Sequence, residues 1–525
     1  MERVLAGVFA EGTSYLSTLW SNATGNGSDA LRNGGGKGGD DDGAEKVDKV
    51  RSTTRDSAVS TTSTSSRVSI ASTSGVKKVS KVVSWIAFGA KKKKAPATGC
   101  GAYDGPDGIT ATNKKSPLDI LLAASAKRPD DAVSPGNLKA LSVVGRGGYG
   151  KVMLMRDHTT GKLLAVKEVA KSNLIDKPGT HRSVRQVSTK IEHAEMERMV
   201  LATVSSHPFI TSFHGSFQNR DKIFLMLEYA SGGELFGAMQ KHGVFSEPRV
   251  RLYSAEIVLA LEFLHENGII YRDLKPENIL LDARGHVRLT DFGLSIAFNK
   301  VGDDNTMRCV SICGTPEYIS PEIVLGATTH KNDRSWTYGK TVDYWALGVL
   351  TYEMLYRVPP FFHRDRKTML NKILECKLEF PKPSEKQPSV STKANEFIAA
   401  LLKYEERDRL GFGSAGAHNV KAHPFFQPLE WSKVAASAYE PEYVPELGQD
   451  CDTANFDECF TKELLRQDNC SSCAYNLELT GYDYLPEAFD ESHWYTNQTE
   501  QQTADLNSVP NPEPAPVVAE AICQT

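Results

Sequence analysis

The chain has 525 residues, of which 24% are charged, and a formal net charge of −4 at pH 7. The charge is uneven: residues 1–137 carry +5, residues 138–426 carry +7 and residues 427–525 carry −16. The longest apolar run, residues 82–90, is about half as long as a membrane span, which excludes a membrane-spanning helix built on this run. The acidic C-terminal part either docks on the basic central part or is simply solvated.

Residues 1–137 contain few aromatic residues, many serines and threonines, and runs of glycine, aspartate and lysine. Such a segment cannot bury enough apolar surface to offset its chain entropy, so we expect it to be disordered. Its basic stretch, residues 77–94, is a solvated linker, a contact to an anionic membrane or a nuclear address. No secretory signal is evident, and the nine cysteines fit free thiols in a reducing compartment. This predicts a cytoplasmic protein, with the nucleus as the alternative.

A glycine-rich stretch at residues 145–150 has the spacing G-x-G-x-x-G. On its own this pattern also occurs in dinucleotide-binding folds. Here β-type runs lie on both sides, which favours a hairpin that folds over phosphates rather than a turn into a helix. The expected nucleotide contacts from this hairpin are Val144, Gly145, Arg146, Gly147, Gly148, Tyr149, Gly150, Lys151 and Val152.

The next apolar strand, residues 163–169, contains Lys167. A strand lysine is usually an edge charge, but after a glycine-rich loop it is placed to reach the α- and β-phosphates of a nucleotide. It requires a carboxylate partner. The apolar stripe of a helix predicted over 191–201 makes Glu197 the best candidate, and we interpret Glu192 and Glu195 as surface acids.

An unbroken apolar run at 223–229 predicts a buried strand, and the glycines at 232 and 233 predict a hinge between two lobes. After a helix predicted over 250–267, Asp273, Lys275 and Asn278 follow one another closely. Asp291 comes at the end of a predicted strand pair. Two acids, a lysine and an asparagine at this spacing fit phosphoryl transfer from Mg-ATP to a hydroxyl group.

With these motifs in this order, residues 138–426 resemble a eukaryotic protein kinase. Tyr-Arg-Asp at 271–273 and Cys-Gly-Thr-Pro-Glu-Tyr at 313–318 are similar to the AGC group of serine/threonine kinases, especially the ribosomal protein S6 kinases. The resemblance implies a bilobal α+β fold, with a β-rich small lobe, a helical large lobe, and ATP and Mg²⁺ between them. It divides the chain into a disordered region 1–137, a kinase domain 138–426, an AGC tail 427–484 and a disordered end 485–525.

In such a kinase Asp273 would orient the substrate hydroxyl and accept its proton, and Lys275 would stabilise charge on the γ-phosphoryl group. Asn278 and Asp291 would hold Mg²⁺. The implied catalytic residues are Asp273, Lys275, Lys167 and Glu197. The implied adenine contacts are the side chains of Val152, Ala165 and Leu280, the backbone of Glu228 and Ala230, and Phe456 of the tail.

The resemblance also implies a regulatory site. Ser311 matches the activation-loop phosphosite, where a phosphate would pair with Arg272 and with His193. Ile296 stands where relatives commonly have a lysine, which predicts a weaker dependence on this phosphate.

A degenerate hydrophobic motif lies near the end of the tail. Leu479 and Tyr482 would be its two anchors on the small lobe, and Asp483 would stand in place of a phosphorylated residue. The alternative is an incidental aromatic run.

Substrate choice follows from three acids. Glu234 and Glu277 match positions that bind an arginine three residues before the phosphoacceptor, and Glu353 matches one that reads an adjacent residue. Because carboxylates select arginine through charge-assisted bidentate bonds, we expect Arg-x-x-Ser/Thr or Arg-Arg-x-Ser/Thr sites. The alternative is that these are ordinary surface acids.

Two insertions, residues 176–190 and 327–340, are predicted to be surface loops. The expected partners are protein substrates with basic residues before Ser or Thr, and an upstream activating kinase. We expect a monomer that binds no nucleic acid and contacts membranes only through residues 77–94. The rival class, a pseudokinase scaffold, would lack Lys167, Asp273, Asn278 or Asp291, and the sequence retains all four.

Overall fold

The computed structural model describes residues 133–147, 150–174, 184–298, 307–328, 336–383, 389–448 and 453–465, with Leu479 and Tyr482; for 184–189 it describes the backbone alone. Of the predicted disordered segments, 1–137 and 485–525, residues 1–132 and 485–525 lie outside the described part of the chain. Val133 is buried against the small lobe and a 3₁₀ helix, Pro135–Asn137, follows it. The predicted disorder therefore extends a few residues too far, because one anchored apolar side chain orders this stretch.

The small lobe is built on an antiparallel sheet. Its strands are β1 (Leu138–Gly147), β2 (Gly150–Asp157), β3 (Leu163–Ala170), β4 (Phe213–Gln218) and β5 (Lys222–Glu228). They lie in the order β1-β2-β3-β5-β4. Side chains alternate between the two faces, so Leu164 and Val166 of β3 join an outer apolar cluster while Val169 joins the main core. Lys167 shares the inner face with Val169.

Two helices, α1 (Lys171–Leu174) and α2 (Val184–Val204), follow β3. α2 buries Val200, Leu201 and Val204 in the main core. It begins seven residues before the helix predicted over 191–201, so the prediction of a loop up to residue 190 is wrong from Val184 onward. No glycine or proline interrupts the chain between Val184 and Val204, and the helix therefore continues toward its N-terminus.

The large lobe is helical. Its helices are α3 (Leu235–His242), α4 (Glu247–Glu266), α5 (Pro321–Thr328), α6 (Thr341–Tyr356), α7 (Arg366–Glu375), α8 (Thr392–Leu401), α9 (Gly416–Lys421) and α10 (Trp431–Ala435). Every residue of α6 is buried, as expected for a helix surrounded by others. Arg409 donates two hydrogen bonds to Glu322, of 2.7 and 2.9 Å, which join the end of the activation segment to the base of the large lobe. This bilobal α+β architecture confirms the predicted fold class.

Short strand pairs position the residues between the lobes. These are β6 (Ile269–Ile270) with β9 (Ile296–Ala297), and β7 (Ile279–Leu281) with β8 (Val287–Leu289). Asp343 of α6 accepts bonds from the backbone N–H of Tyr271 (3.0 Å) and of Arg272 (2.8 Å). These bonds hold Arg272 in the left-handed region at φ +71°. The buried side chain of Asp343 therefore holds the loop after β6 in place through its backbone.

The described residues of the second insertion, 327–328 and 336–340, do not form an exposed loop. Residues 329–335 lie outside the described part of the chain, but Tyr338 is fully buried and Trp336 packs on the core. The prediction of a surface loop is therefore wrong for residues 327–328, which end α5, and for residues 336–340, whose aromatic side chains pack on the core. In the part of the chain that the structure describes, no helix is long and apolar enough to cross a membrane.

Candidate active site

The hairpin of β1 and β2 pairs Gly147 directly with Gly150. Gly148 and Tyr149 lie outside the described residues. A Cβ atom on Gly150 would lie 1.7 Å from the carbonyl oxygen of Glu168, so only glycine lets β3 approach this closely. The close packing of the hairpin against β3 therefore requires glycine at position 150.

Four predicted nucleotide contacts flank this hairpin. Val144 is buried, Gly145 pairs with Val152, and Val152 and Ala165 are partly buried. Arg146 lies near the hairpin tip and forms an ion pair with Glu463 of the tail. The small apolar side chains leave the inner face of the sheet suited to a flat aromatic base.

The side chain of Lys151 lies on the face of the sheet that is turned away from the nucleotide cleft. It is paired with Glu168 across β2 and β3, with 4.0 Å between its Nζ and Oε1 of Glu168, and it is buried. Lys222 Nζ lies 3.1 Å from the same oxygen. Glu168 is on the outer face, opposite to Lys167, so the side chain of Lys151 points away from the nucleotide cleft and a contact from this residue would have to come from its backbone. Strand alternation from Val152 could have shown this.

Lys167 meets both predicted acidic partners. Its Nζ lies 2.6 Å from Glu197 Oε1 and 3.4 Å from Asp291 Oδ1. Burial alone would lower the pKa of Lys167, but Asp291 and Glu197 outweigh it and raise that pKa. Lys167 also lowers the pKa of Asp291, against the effect of burial. Helix α2 is therefore docked in the arrangement that phosphate binding requires.

Asp273 is buried, and three side chains surround its carboxylate. Asn278 Nδ2 donates to Oδ2 at 2.7 Å, Thr315 Oγ1 donates to Oδ1 at 2.9 Å, and Lys275 Nζ lies 3.0 Å from Oδ2. Lys275 also bonds to Thr315 Oγ1 at 3.1 Å. These contacts fix the carboxylate in the orientation that a proton acceptor needs.

The residues present fit a Mg²⁺ ion. Asn278 uses its NH₂ group on Asp273, which directs its amide oxygen elsewhere, and Asp291 binds Gly293 N–H and Lys167 through Oδ1 alone. Two oxygen donors remain, the type of ligand that Mg²⁺ prefers. No group of three His, Cys, Asp or Glu side chains suited to a metal occurs among the described residues. Two protein ligands suit an ion that also binds water and phosphate.

The hinge after β5 is crossed by the tail. Glu228 N–H donates to Ser212 O at 2.9 Å, so its carbonyl is the group that can serve a base. Ala230 is buried beside it and Leu280 is partly buried. Phe456 stacks on Tyr229 with 5.6 Å between ring centroids and 20° between planes. The tail therefore supplies an aromatic ring at the edge of the nucleotide cleft.

Residues 138–426 match the protein kinase domain family. The chain belongs to the protein kinase family. The kinase is similar to the serine/threonine-protein kinase gad8 of Schizosaccharomyces pombe, with 40% identity over 324 residues, which are 62% of this chain and 51% of that protein. It is 36% identical over 374 residues to the RAC family serine/threonine-protein kinase homolog of Dictyostelium discoideum, covering 70% of this chain and 77% of the relative.

A third relative is human ribosomal protein S6 kinase alpha-4, with 41% identity over 340 residues, 63% of this chain and 40% of that protein. The chain thus spans 40% to 77% of the length of these relatives. The prediction of an AGC-group serine/threonine kinase related to the S6 kinases is confirmed.

The activation segment of the kinase carries Ser311 at its surface. Arg272 Nη1 donates to Ser311 Oγ, so the predicted partner of a phosphate is already in contact with the hydroxyl. Burial, with repulsion from Arg272, lowers the pKa of His193 to about 4. His193 is therefore neutral at pH 7 until an anion arrives. Ile296 is partly buried in β9 and contributes no charge.

The three acids predicted to read substrate arginine differ in exposure. Glu234 is exposed, Glu277 is half-buried and Glu353 is buried on α6, where it accepts a hydrogen bond from Tyr318 OH. Crowding by protein raises the pKa of Glu234 to about 7, with repulsion from Glu277 as the second cause. Water reaches Glu234 and screens part of this repulsion. Burial raises the pKa of Glu353 to about 8, and Glu277 adds to the shift.

The hydrophobic-motif anchors of the kinase lie on the small lobe. Leu479 and Tyr482 are 3% and 1% exposed. Gln218 donates to Leu479 O at 3.0 Å and accepts from Leu479 N–H at 3.2 Å, and Ser216 Oγ donates to Tyr482 O at 2.5 Å. Asp483 lies outside the described residues. Leu479 and Tyr482 thus contact the small lobe beside β4.

Sequence reasoning missed three residues that support the site. Thr315 bonds to Asp273, Asp343 holds the backbone of the catalytic loop, and Tyr338 contacts Arg272. Thr315 could have been found from its place in the motif at 313–318. No local signal marks Tyr338, because its partners are distant in the sequence.

Proposed function

We propose that the protein transfers the γ-phosphoryl group of Mg-ATP to Ser or Thr in arginine-containing protein sequences. The observation that carries this proposal is the assembled set around Asp273. Its carboxylate is oriented by Lys275, Asn278 and Thr315 while the Lys167–Glu197 pair is closed. A pseudokinase does not transfer phosphate and therefore does not require all of these contacts at once.

Asp273 orients the substrate hydroxyl and accepts its proton as the new oxygen–phosphorus bond forms and the bond between the β- and γ-phosphates breaks. Lys275, whose Nζ lies beside that carboxylate, stabilises charge on the oxygens being transferred. Lys167 positions the α- and β-phosphates. Mg²⁺ held by Asn278 and Asp291 would neutralise charge on the phosphates.

The preference for arginine rests on Glu234 and Glu277. Glu277 raises the pKa of Glu234 and of Glu353, so a cation bound among these carboxyls would favour their charged forms. A guanidinium is planar and binds carboxylates in bidentate fashion, which favours arginine over lysine. Glu353 is buried and accepts a hydrogen bond from Tyr318, so we assign it to the wall of the arginine-binding site that Glu234 and Glu277 would form.

Ser311 is proposed as the site of an upstream kinase, since its hydroxyl is exposed and Arg272 lies against it. The added phosphate would bind Arg272 and favour the charged form of His193.

The test is peptide-array phosphorylation by full-length wild type and Asp273→Ala, with Asp408→Ala as control because Asp408 is an exposed acid far from the cleft. We expect wild type and Asp408→Ala to label peptides with arginine three residues before the acceptor, and Asp273→Ala to lose about 10²-fold or more. Equal labelling by wild type and Asp273→Ala would overturn the proposed function. Indifference to arginine would overturn only the specificity.

A further inference from the structure

The segment that carries Ser311 is fastened to residues 336–338. Cys309 and Tyr338 exchange two backbone hydrogen bonds, of 2.8 and 2.9 Å. Next to them, Arg308 donates to Thr337 Oγ1 at 3.0 Å and to Thr337 O at 2.7 Å. The activation segment is thus paired with chain that directly precedes α6, the most buried helix of the large lobe.

The side chains on this pairing converge on Arg272. Its Nη1 lies 3.0 Å from Cys309 Sγ and 3.1 Å from Tyr338 OH, and it also contacts Ser311 Oγ. Tyr338 OH in turn donates to Ser311 O at 2.6 Å. The guanidinium that would receive a phosphate therefore already binds two side chains, Cys309 and Tyr338, that phosphorylation of Ser311 does not alter.

Cys309 and Ser311 differ in accessibility although both reach Arg272. Cys309 is 4% exposed and its Sγ lies 3.1 Å from Ser311 Oγ, whereas Ser311 is exposed. Sulfur is a weak but polarizable acceptor beside a cation. Arg272 lowers the pKa of Cys309, against the effect of burial. The sulfur thus presents partial negative charge to the guanidinium.

We propose that Cys309 and Tyr338 are positioning residues that hold Arg272 and the activation segment in the catalytic arrangement before Ser311 is phosphorylated. This rests on the proposed kinase function and deepens its regulation. Thr315, which bonds to Asp273, lies four residues after Ser311, so holding Ser311 also holds the segment that orients the catalytic carboxylate. Ile296 agrees with this arrangement. Because it supplies no positive charge near Ser311, fewer cations need a phosphate as counter-charge.

The experiment compares the full-length kinase in two forms, phosphatase-treated and with phosphoserine incorporated at position 311 by genetic code expansion. Each form is made as wild type and as the double variant Cys309→Ala/Tyr338→Phe, and kcat/KM is measured on an arginine-containing peptide. We expect the double variant to lose about tenfold or more in the dephosphorylated form. In the phosphoserine form it should lie within about threefold of wild type, because the phosphate replaces both groups.

Cys309→Ser should recover most of the loss, since a hydroxyl keeps an acceptor beside Arg272, and Cys376→Ala is the control thiol on the large lobe. Thermal unfolding is followed for each protein, and Tyr338→Phe alone serves if the double variant does not fold. Equal losses in both forms, or no loss in the dephosphorylated form, overturn the inference. So does an inactive dephosphorylated wild type beside an active phosphoserine form. If neither wild-type form is active, the proposed function itself fails and the inference with it.

Discussion

The nucleotide side of the cleft brings opposite charges into contact, whereas the substrate side gathers like charges. On the first side Lys167 lies between Glu197 and Asp291 at 2.6 and 3.4 Å. On the second, burial raises the pKa values of Glu234 and Glu353, and the carboxylate of Glu277 raises both further. The first set is compensated by close ion pairs within the protein, whereas Lys275 offsets only part of the rise in the pKa of Glu234 and Glu277.

This difference separates two roles for charge. A compensated pair positions elements, here α2 against β3, and its removal leaves a partner buried without its counter-charge. A cluster of carboxyl groups with raised pKa values favours the binding of a guanidinium, because the added positive charge stabilises the carboxylates. Substitutions on the nucleotide side should therefore lower activity on every peptide, whereas those on the substrate side should lower it only on peptides that contain arginine.

The largest effect is expected on the compensated side. Lys167→Met should lower kcat/KM by about 10²- to 10³-fold on every peptide, because it removes a preorganised charge from the phosphates and leaves Glu197 buried alone. The measurement is steady-state kinetics with ATP and peptide varied separately. Lys162→Met is the control, because Lys162 is exposed and lies just before β3. Activity within about threefold of wild type would show that the pair is dispensable.

On the substrate side, Glu277→Gln should lower kcat/KM by about tenfold on a peptide with arginine three residues before the acceptor, because a charged hydrogen bond is lost. The same change should have little effect on a peptide with alanine there. Glu396→Gln, an exposed acid on α8, is the matched control. An equal loss on both peptides would mean that Glu277 acts on the catalytic loop and not on the substrate.

A smaller effect should appear as pH dependence. Because the pKa of Glu234 is raised to about 7, the carboxyl becomes protonated as pH falls through that value. The neutral form cannot pair with arginine, so KM for the arginine peptide should rise several-fold between pH 8 and pH 6. Glu234→Gln should flatten this profile over the same range. A profile that survives in the variant would assign the titration to another group.

The smallest effect is expected at the tail. Phe456→Ala removes the ring that stacks on Tyr229 and should raise KM for ATP by about three- to tenfold, with kcat nearly unchanged. Tyr404→Ala, an exposed aromatic on the large lobe, is the control. A fall in kcat without a change in KM for ATP would show that the tail acts on lobe closure rather than on the nucleotide.

Several errors of sequence reasoning have a common origin. Lys151 was expected among the nucleotide contacts, but its side chain lies on the outer face with Glu168, as alternation along β2 already indicated. Residues 184–190 and 336–340 were expected to be loops but form part of α2 and of the packing around Tyr338. In each case an insertion or a motif was treated as a unit, while the individual side chains follow the element that contains them.

The sequence by itself determined the family, the order of the elements and the catalytic loop, because Asp273, Lys275 and Asn278 lie so close along the chain that a single turn must bring them together. It also indicated Glu197 as the partner of Lys167, through the apolar stripe of α2. Only the tertiary structure decided what surrounds Arg272. Tyr338 is 66 residues away and Cys309 is 37, and no local pattern encodes contacts that depend on how the activation segment packs on the chain before α6.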